Sequence, residues 1–348
     1  MSGPLPPAAA LRRIAFLLER AREPSYRVQA FRTAATVIDG LDAAALDLKI
    51  ATNTLKDLKG VGPKTAAVVV QAHKGEVPDY LTKLEEDLAE LVPLADDVAE
   101  FRAALRGDLH VHSDWSDGGS PIREMAEAAL ALGHEYMALT DHSPRLTVAN
   151  GLTAARLERQ LDEVAALNEE LAPFRILTGI ECDINADGSL DQTDELLGRL
   201  DVVVASVHSD LRADAKSMTA RMLTAIANPH TDVLGHCTGR LVIGRRQRDG
   251  TQKPRPESQF DADAVFAACV EFGTAVEINS RPERLDPPKR LLRQAVEAGC
   301  DFAIDTDAHA PGQLDWQGNG CERAVECGVD PDRVVNTWPA DRLLDWTG

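Results

Sequence analysis

Asp108-Leu109-His110-Val111-His112-Ser113 sets two imidazoles two residues apart at the close of a short apolar run, and comparable placements return over about the next two hundred residues. Asp117 follows in Trp115-Ser116-Asp117-Gly118, His142 in Thr140-Asp141-His142-Ser143, and Glu181 in Gly179-Ile180-Glu181. His208 stands in Ser206-Val207-His208-Ser209, His236 in Gly235-His236-Cys237, and Asp307 and His309 in Thr306-Asp307-Ala308-His309. The runs they follow read as buried strands: 136–140, 175–180, 202–207 (Val-Val-Val-Ala-Ser-Val), 232–235, 274–278 and 302–306. Longer stretches with helical spacing lie between them, such as Met218, Met222 and Ile226. Strands alternating with helices predict an α/β fold with a parallel sheet, either a barrel or doubly wound. In barrels of this kind the chemistry sits at the carboxyl ends of the strands, where these residues fall.

Neutral imidazoles and carboxylates are ligands of manganese, zinc and iron alike, so the type of ion is left open. Nine such residues are too many for one ion with four to six ligands, and two or three divalent ions are expected. A single histidine at a strand end is ordinarily a hydrogen-bonded core residue; it is the series that carries the inference. His73 and His134 fall outside it and read as surface or helix-end residues. His230 reads as a loop residue whose part in the site is open.

The amino-terminal region has a different signature. In Leu58-Lys-Gly-Val-Gly-Pro-Lys-Thr-Ala66, Gly60 and Gly62 can take backbone angles denied to other residues, and Pro63 can start a helix. The amides at that start suit a phosphate oxygen, with Lys59, Lys64 and Thr65 alongside. A plain helix-connecting turn would read the same way. The formal charge of −19 would repel a polyanion if evenly spread, but residues 1–75 hold eleven Lys and Arg against six Asp and Glu, a net +5. A second basic run, Arg240, Arg245, Arg246, Arg248, Lys253 and Arg255, follows His236 and either holds phosphate or is a solvated loop. The length suits two domains, expected at 1–106 (helical, with the hairpin at about 55–75) and 107–348. No apolar run approaches a membrane span, the start does not read as a signal peptide, and the six cysteines lack paired spacing, so a cytoplasmic protein is expected.

The series from His110 to His309 resembles the PHP (polymerase and histidinol phosphatase) family over roughly residues 107–320. The resemblance implies a distorted (β/α)7 barrel with a trinuclear site. His110, His112, Glu181 and Asp307 would hold one ion, and Glu181, as a bridge, would share the second with His208 and His236. Asp117, His142 and His309 would hold the third. A narrower resemblance, to bacterial family X DNA polymerases, rests on 228–241 (Asn-Pro-His-Thr-Asp-Val-Leu-Gly-His-Cys-Thr-Gly-Arg-Leu) and 277–286 (Glu-Ile-Asn-Ser-Arg-Pro-Glu-Arg-Leu-Asp). It also covers 21–38 and the segment 58–66, which looks like a helix-hairpin-helix. The departures are informative. Only about thirty residues, read as amphipathic helix around Pro93, separate the hairpin helices from Asp108, too few for a polymerase palm. Cys237 stands where those polymerases typically carry proline, and is expected to fill space rather than bind metal.

The chemistry these resemblances imply is phosphoester hydrolysis by a metal-bound hydroxide. Asp141 is expected to orient a ligand imidazole, and Arg240, Arg281 and Arg246 to bind phosphate. The leading expectation for substrate is DNA, at 3′ ends or in gapped or primed duplex, cut by a 3′–5′ exonuclease or 3′-end processing nuclease; DNA-repair partners are not identifiable. A small-molecule phosphomonoesterase of the histidinol phosphatase type is the second expectation. A DNA-binding or scaffold protein with an inactive barrel is the third.

Overall fold

Leu11, Ile14 and Leu18 recur at helical spacing behind Pro7, whose fixed φ and missing amide suit the first turn, and they form the buried face of α1 (Pro7–Arg20). The computed structural model describes residues 3–89, 94–244 and 252–348. The chain divides into two compact units, Met1–Pro93 and Leu94–Gly348. In the first, α1 is followed by α2 (Ser25–Asp39), α3 (Ala43–Ala51), α4 (Pro63–His73) and α5 (Asp79–Ala89). Phe31, Ala35, Val69, Ala72 and Leu81 join α1 in one apolar cluster. Beside it, buried Glu19 accepts from Arg32 Nε at 2.6 Å and Nη2 at 2.8 Å. The two-pronged geometry compensates a carboxylate that burial would otherwise penalise.

The second unit opens with α6 (Asp96–Ala104). It continues β1 (Gly107–Val111), α7 (Ile122–Ala131), β2 (Tyr136–Leu139), α8 (Ala154–Leu171), β3 (Arg175–Asp183), α9 (Asp194–Leu197), β4 (Val202–Ser206), α10 (Ala215–Ile226) and β5 (Val233–Leu234). Then come α11 (Ala262–Phe272), β6 (Ala275–Asn279), α12 (Lys289–Ala298), β7 (Phe302–Asp305), α13 (Gln317–Cys327) and α14 (Ala340–Thr347). Each strand pairs in parallel with the next, in chain order. The six expected strands are present, and β1, which carries His110, is the seventh. Ala138, Leu177, Val202, Val204, Val233, Ala275 and Ala303 fill one cluster, while Val203 and Ala205, on the opposite face of β4, pack in another with Met218 and Met222 of α10. This alternation is what a strand buried on both faces requires.

The result is a nearly closed barrel surrounded by helices. Between β1 and β7 the ladder is reduced to a Val111–Ala308 bridge, with His112 N donating to Ala308 O at 2.8 Å. Side chains close the remainder. Asn336 accepts from Ile304 N at 2.7 Å and donates to Asp305 Oδ1 at 2.8 Å, and Gln317 Nε2 lies 2.9 Å from the carbonyls of both Gly107 and Ile304. Asp108 accepts from Thr306 Oγ1 at 2.5 Å, and Asp305 from Leu109 N at 2.8 Å.

Residues 94–106, read as amphipathic helix and expected within the helical region, fall in the second unit. Val98, Phe101 and Leu105 are buried in the same cluster as Cys321 and Ala324 of α13. Amphipathic spacing gives the helix its apolar face but does not identify the surface that covers it. No helix among the described residues is long and apolar enough to cross a membrane.

Candidate metal centre

The parallel strands deliver the singled-out residues to one end of the barrel. His110 lies in β1 and His112 just past it, Glu181 lies in β3, and His142, His208, His236, Asp307 and His309 follow β2, β4, β5 and β7. Glu181 is central. Its Oε2 lies 2.8 Å from His142 Nδ1, 3.3 Å from His110 Nε2 and 3.5 Å from His112 Nε2. Its Oε1 lies 2.9 Å from His236 Nε2 and 3.1 Å from His208 Nε2. Asp117 Oδ1 reaches His309 Nε2 at 3.3 Å and His142 Nε2 at 3.4 Å, while Asp307 Oδ1 is 3.5 Å from His112 Nε2. Three overlapping groups have ligand atoms close enough to share an ion: His112, Asp117, His142 and His309; His110, His112 and Asp307; and His142, Glu181 and His208.

The donors fit divalent cations. His110 Nε2, both ring nitrogens of His112 and His236, His208 Nε2 and both oxygens of Glu181 are buried and, though close to one another, make no well-aligned hydrogen bond. A buried polar atom left so is costly unless something else meets it, and these converge on one another. Burial, reinforced by His309 and His142, holds His112 down at about 3, in the neutral form that offers a lone pair. Burial works the same way on His142, but Glu181 and Asp117 outweigh it and lift the imidazole to about 10. Those carboxylates are the charges a bound cation would face instead.

Residues the sequence reading did not single out orient this set. His110 Nδ1 is 2.6 Å from Glu277 Oε1, and His208 Nδ1 is 2.7 Å from Asp183 Oδ1. Each carboxylate fixes a ring and leaves Nε2 turned inward, the arrangement common around metal-binding imidazoles. Arg284 Nε donates to Asp307 Oδ2 at 2.9 Å. Glu277 and Arg284 were visible only as members of 277–286, because nothing in spacing shows which acid will meet which ring.

Asp141 does something other than expected. Its carboxylate accepts from Ser113 N at 2.9 Å, Ser113 Oγ at 2.6 Å, Gln160 Nε2 at 2.6 Å and Ser116 Oγ, so it pins the loop carrying Asp117 rather than turning an imidazole. Arg240 also departs from expectation: Nε donates to Arg284 O at 3.1 Å, Nη2 to Leu285 O, and Nη1 lies 3.6 Å from Glu257. Its guanidinium is engaged in holding the 281–286 turn. Arg281 stays at the cluster, with Nη1 3.2 Å from His309 Nδ1 and 3.4 Å from Asp307 Oδ1. Arg246 lies outside the described residues. Cys237 is buried in the apolar core, its Sγ 3.9 Å from Asp286 Oδ1, and His230 joins none of the three groups. His73 pairs with Asp47 at 3.2 Å. His134 does follow a helix end but is buried, not at the surface, with Nε2 3.1 Å from Arg102 Nη2.

In the amino-terminal unit Gly60 has φ +97°, and a Cβ there would lie 2.7 Å from Thr33 Cγ2, so glycine is required. Gly62 precedes α4 and donates to Thr65 Oγ1 at 2.9 Å. Lys59 and Lys64 are exposed, whereas Thr65 is buried and serves the helix start.

Residues 108–281 match the PHP domain family, and residues 6–76 match a helix-hairpin-helix domain family. The chain is 44% identical over 232 residues to the DNA polymerase/3′-5′ exonuclease PolX of Bacillus subtilis (strain 168); the match covers 67% of this chain and 39% of that protein, so the chain spans well under half of that relative's length. It is 27% identical over 241 residues to a probable phosphatase of Thermoanaerobacter sp. (strain X514), covering 66% of this chain and 89% of the relative. Among solved structures, a histidinol phosphate phosphatase from Lactococcus lactis complexed with zinc, L-histidinol and phosphate aligns with a TM-score of 0.45 and 18% identity, over 65% of this chain and 94% of that one.

Proposed function

The chain belongs to the PHP domain family and is a metal-dependent phosphoesterase, and from that premise we propose that it acts on DNA as a 3′–5′ exonuclease or 3′-end processing nuclease in the cytoplasm. The observation that carries this is the helix-hairpin-helix domain at residues 6–76 on the same chain as the barrel. A small phosphomonoester gives that domain nothing to hold. The named activity of the Bacillus relative supports the same direction, although the polymerase palm has no room between the two regions of this chain.

His110, His112, Glu181 and Asp307 would hold one divalent ion, Glu181, His208 and His236 a second, and Asp117, His142 and His309 a third. Manganese, zinc or iron suits this mixed donor set. The chemistry supplied on binding is Lewis-acid activation of water and neutralisation of phosphoester charge. The chain's own residues supply orientation. Glu277 and Asp183 fix the His110 and His208 rings, which leaves neither imidazole free to roam as a general base. Arg281, partly exposed at the rim, would turn its remaining donors to a phosphate oxygen. The start of α4, flanked by exposed Lys59 and Lys64 and the bare Cα of Gly62, would receive a backbone phosphate of the duplex.

The test is digestion of a 5′-labelled primer–template with manganese, beside the Asp307→Asn variant. A ladder of shortened primers that the variant does not make is expected. A primer left intact by metal-loaded protein that hydrolyses histidinol phosphate would overturn the DNA assignment. It would favour the small-substrate reading, which the match to nearly the full length of a probable phosphatase supports.

A further inference from the structure

Asp117 and His142 stand on separate loops, after β1 and after β2, yet Asp117 Oδ1 and His142 Nε2 are 3.4 Å apart. Pairing ends before Asp117, and His142 keeps only an isolated bridge to Glu181 of β3, so strand pairing does not tie the two loops to each other. Arg156, in the first turn of α8, sends Nη2 to the carbonyl of Trp115, two residues ahead of Asp117. Its Nη1 donates to the carbonyls of Asn150 at 2.6 Å and Gly151 at 3.2 Å. Those carbonyls belong to the loop that begins at His142 and returns to it, for Leu152 N donates to His142 O at 2.7 Å. Asn150 Nδ2 adds a direct tie to Trp115 O at 3.1 Å. One turn along α8, Gln160 holds Asp141, and through it Ser113 and Ser116. The Arg156 guanidinium also lies 5.9 Å from the centre of the Trp115 ring.

One prong of a planar fork therefore grips each loop. We propose that Arg156 is a positioning residue for the Asp117–His142–His309 group: by fixing the β1 loop against the β2 loop it sets that group's affinity for a divalent cation. The opposite side of the cluster is held by other means, His110 by Glu277 and Asp307 by Arg281 and Arg284. A lysine at 156 would keep the charge but lose the fork, and could satisfy one loop only. The inference rests on the reading of the cluster as a metal centre.

The experiment is titration of the metal-free full chain with Mn²⁺ by calorimetry, with bound manganese counted by mass spectrometry. Parent, Arg156→Ala, Arg156→Lys, Asp117→Ala and the Arg156→Ala/Asp117→Ala double variant are compared. Arg156→Ala is expected to weaken the Asp117-dependent class of sites by about 10–100-fold, the range typical of residues that support metal ligands, and to leave the other class in place. The double variant should bind no worse than Asp117→Ala. Arg156→Lys, the milder change should the alanine variant melt too low, is expected to show the same selective loss. An isotherm equal to the parent's in the Arg156 variants, or equal weakening of both classes, overturns the positioning role while leaving the metal reading intact. A parent-like isotherm in Asp117→Ala removes the metal reading at this group, and the proposal with it.

Discussion

Asp232 enters β5 with its carboxylate buried, accepting from Val203 N at 2.7 Å. Burial pushes its pKa up to about 8, against the pull of that amide. In the unfolded chain an aspartate titrates near ~3.9, so between about pH 4 and 8 the folded protein holds a proton the unfolded one has released. The sign follows: stability is fullest below that window and is lost as pH rises through 8, by up to about 1.4 kcal/mol per pH unit. Asp232→Asn keeps the acceptor for Val203 N and removes the proton. Its thermal midpoint should rise relative to the parent as pH goes from 5 to 8, and a constant difference across that range would contradict the assignment. At this scale the nine candidate ligands were legible because residue type and strand-end position agree. Their supports were not. Glu277, Asp183 and Arg284 read as ordinary charged residues until the barrel turns them inward, and Asp141, adjacent to His142 in sequence, reaches sideways to serine and glutamine instead.

The elements themselves were largely readable. Runs such as Val202–Ser206 are short and apolar, and flanking polar residues bound them well. β5 is only two residues long, Val233–Leu234, though Asp232 and Gly235 at its edges still donate to Val203 O and Ala205 O; the Asp232 carboxylate also holds β4, and a Cβ at 235 would lie 2.2 Å from Ser206 Oγ. The hairpin before α4 yields a separable prediction. A Cβ at Gly62 would have nothing within 4 Å, and its φ of −95° suits any residue. Gly62→Ala should therefore leave the thermal midpoint unchanged and, by crowding an approaching phosphate, weaken binding of a fluorescent primed duplex by about tenfold, ~1.4 kcal/mol. Hydrolysis of a small chromogenic phosphoester should not change; a parallel loss on both substrates would refute the division of labour. Gly60→Ala, strained and abutting Thr33, should instead lower stability by about 1–2 kcal/mol.

Across the whole molecule, the feature least visible in the sequence is the seam between β1 and β7. A polar Asn336, remote in sequence from both strands, gives no sign that it stands in for missing ladder hydrogen bonds. Asn336→Leu leaves Ile304 N unmet in the interior and takes one donor from Asp305 Oδ1, and should lower the urea midpoint by the equivalent of about 3 kcal/mol with an unchanged m-value. A variant as stable as the parent would show that the barrel closes without Asn336. Gln317 and Asn336 both follow His309, the last candidate ligand in the chain. During synthesis every candidate ligand therefore leaves the ribosome before two of the side chains that clasp the barrel shut. A nascent chain has its candidate ligands outside the exit tunnel while Gln317 and Asn336 are still to come, and that part of the clasp comes last.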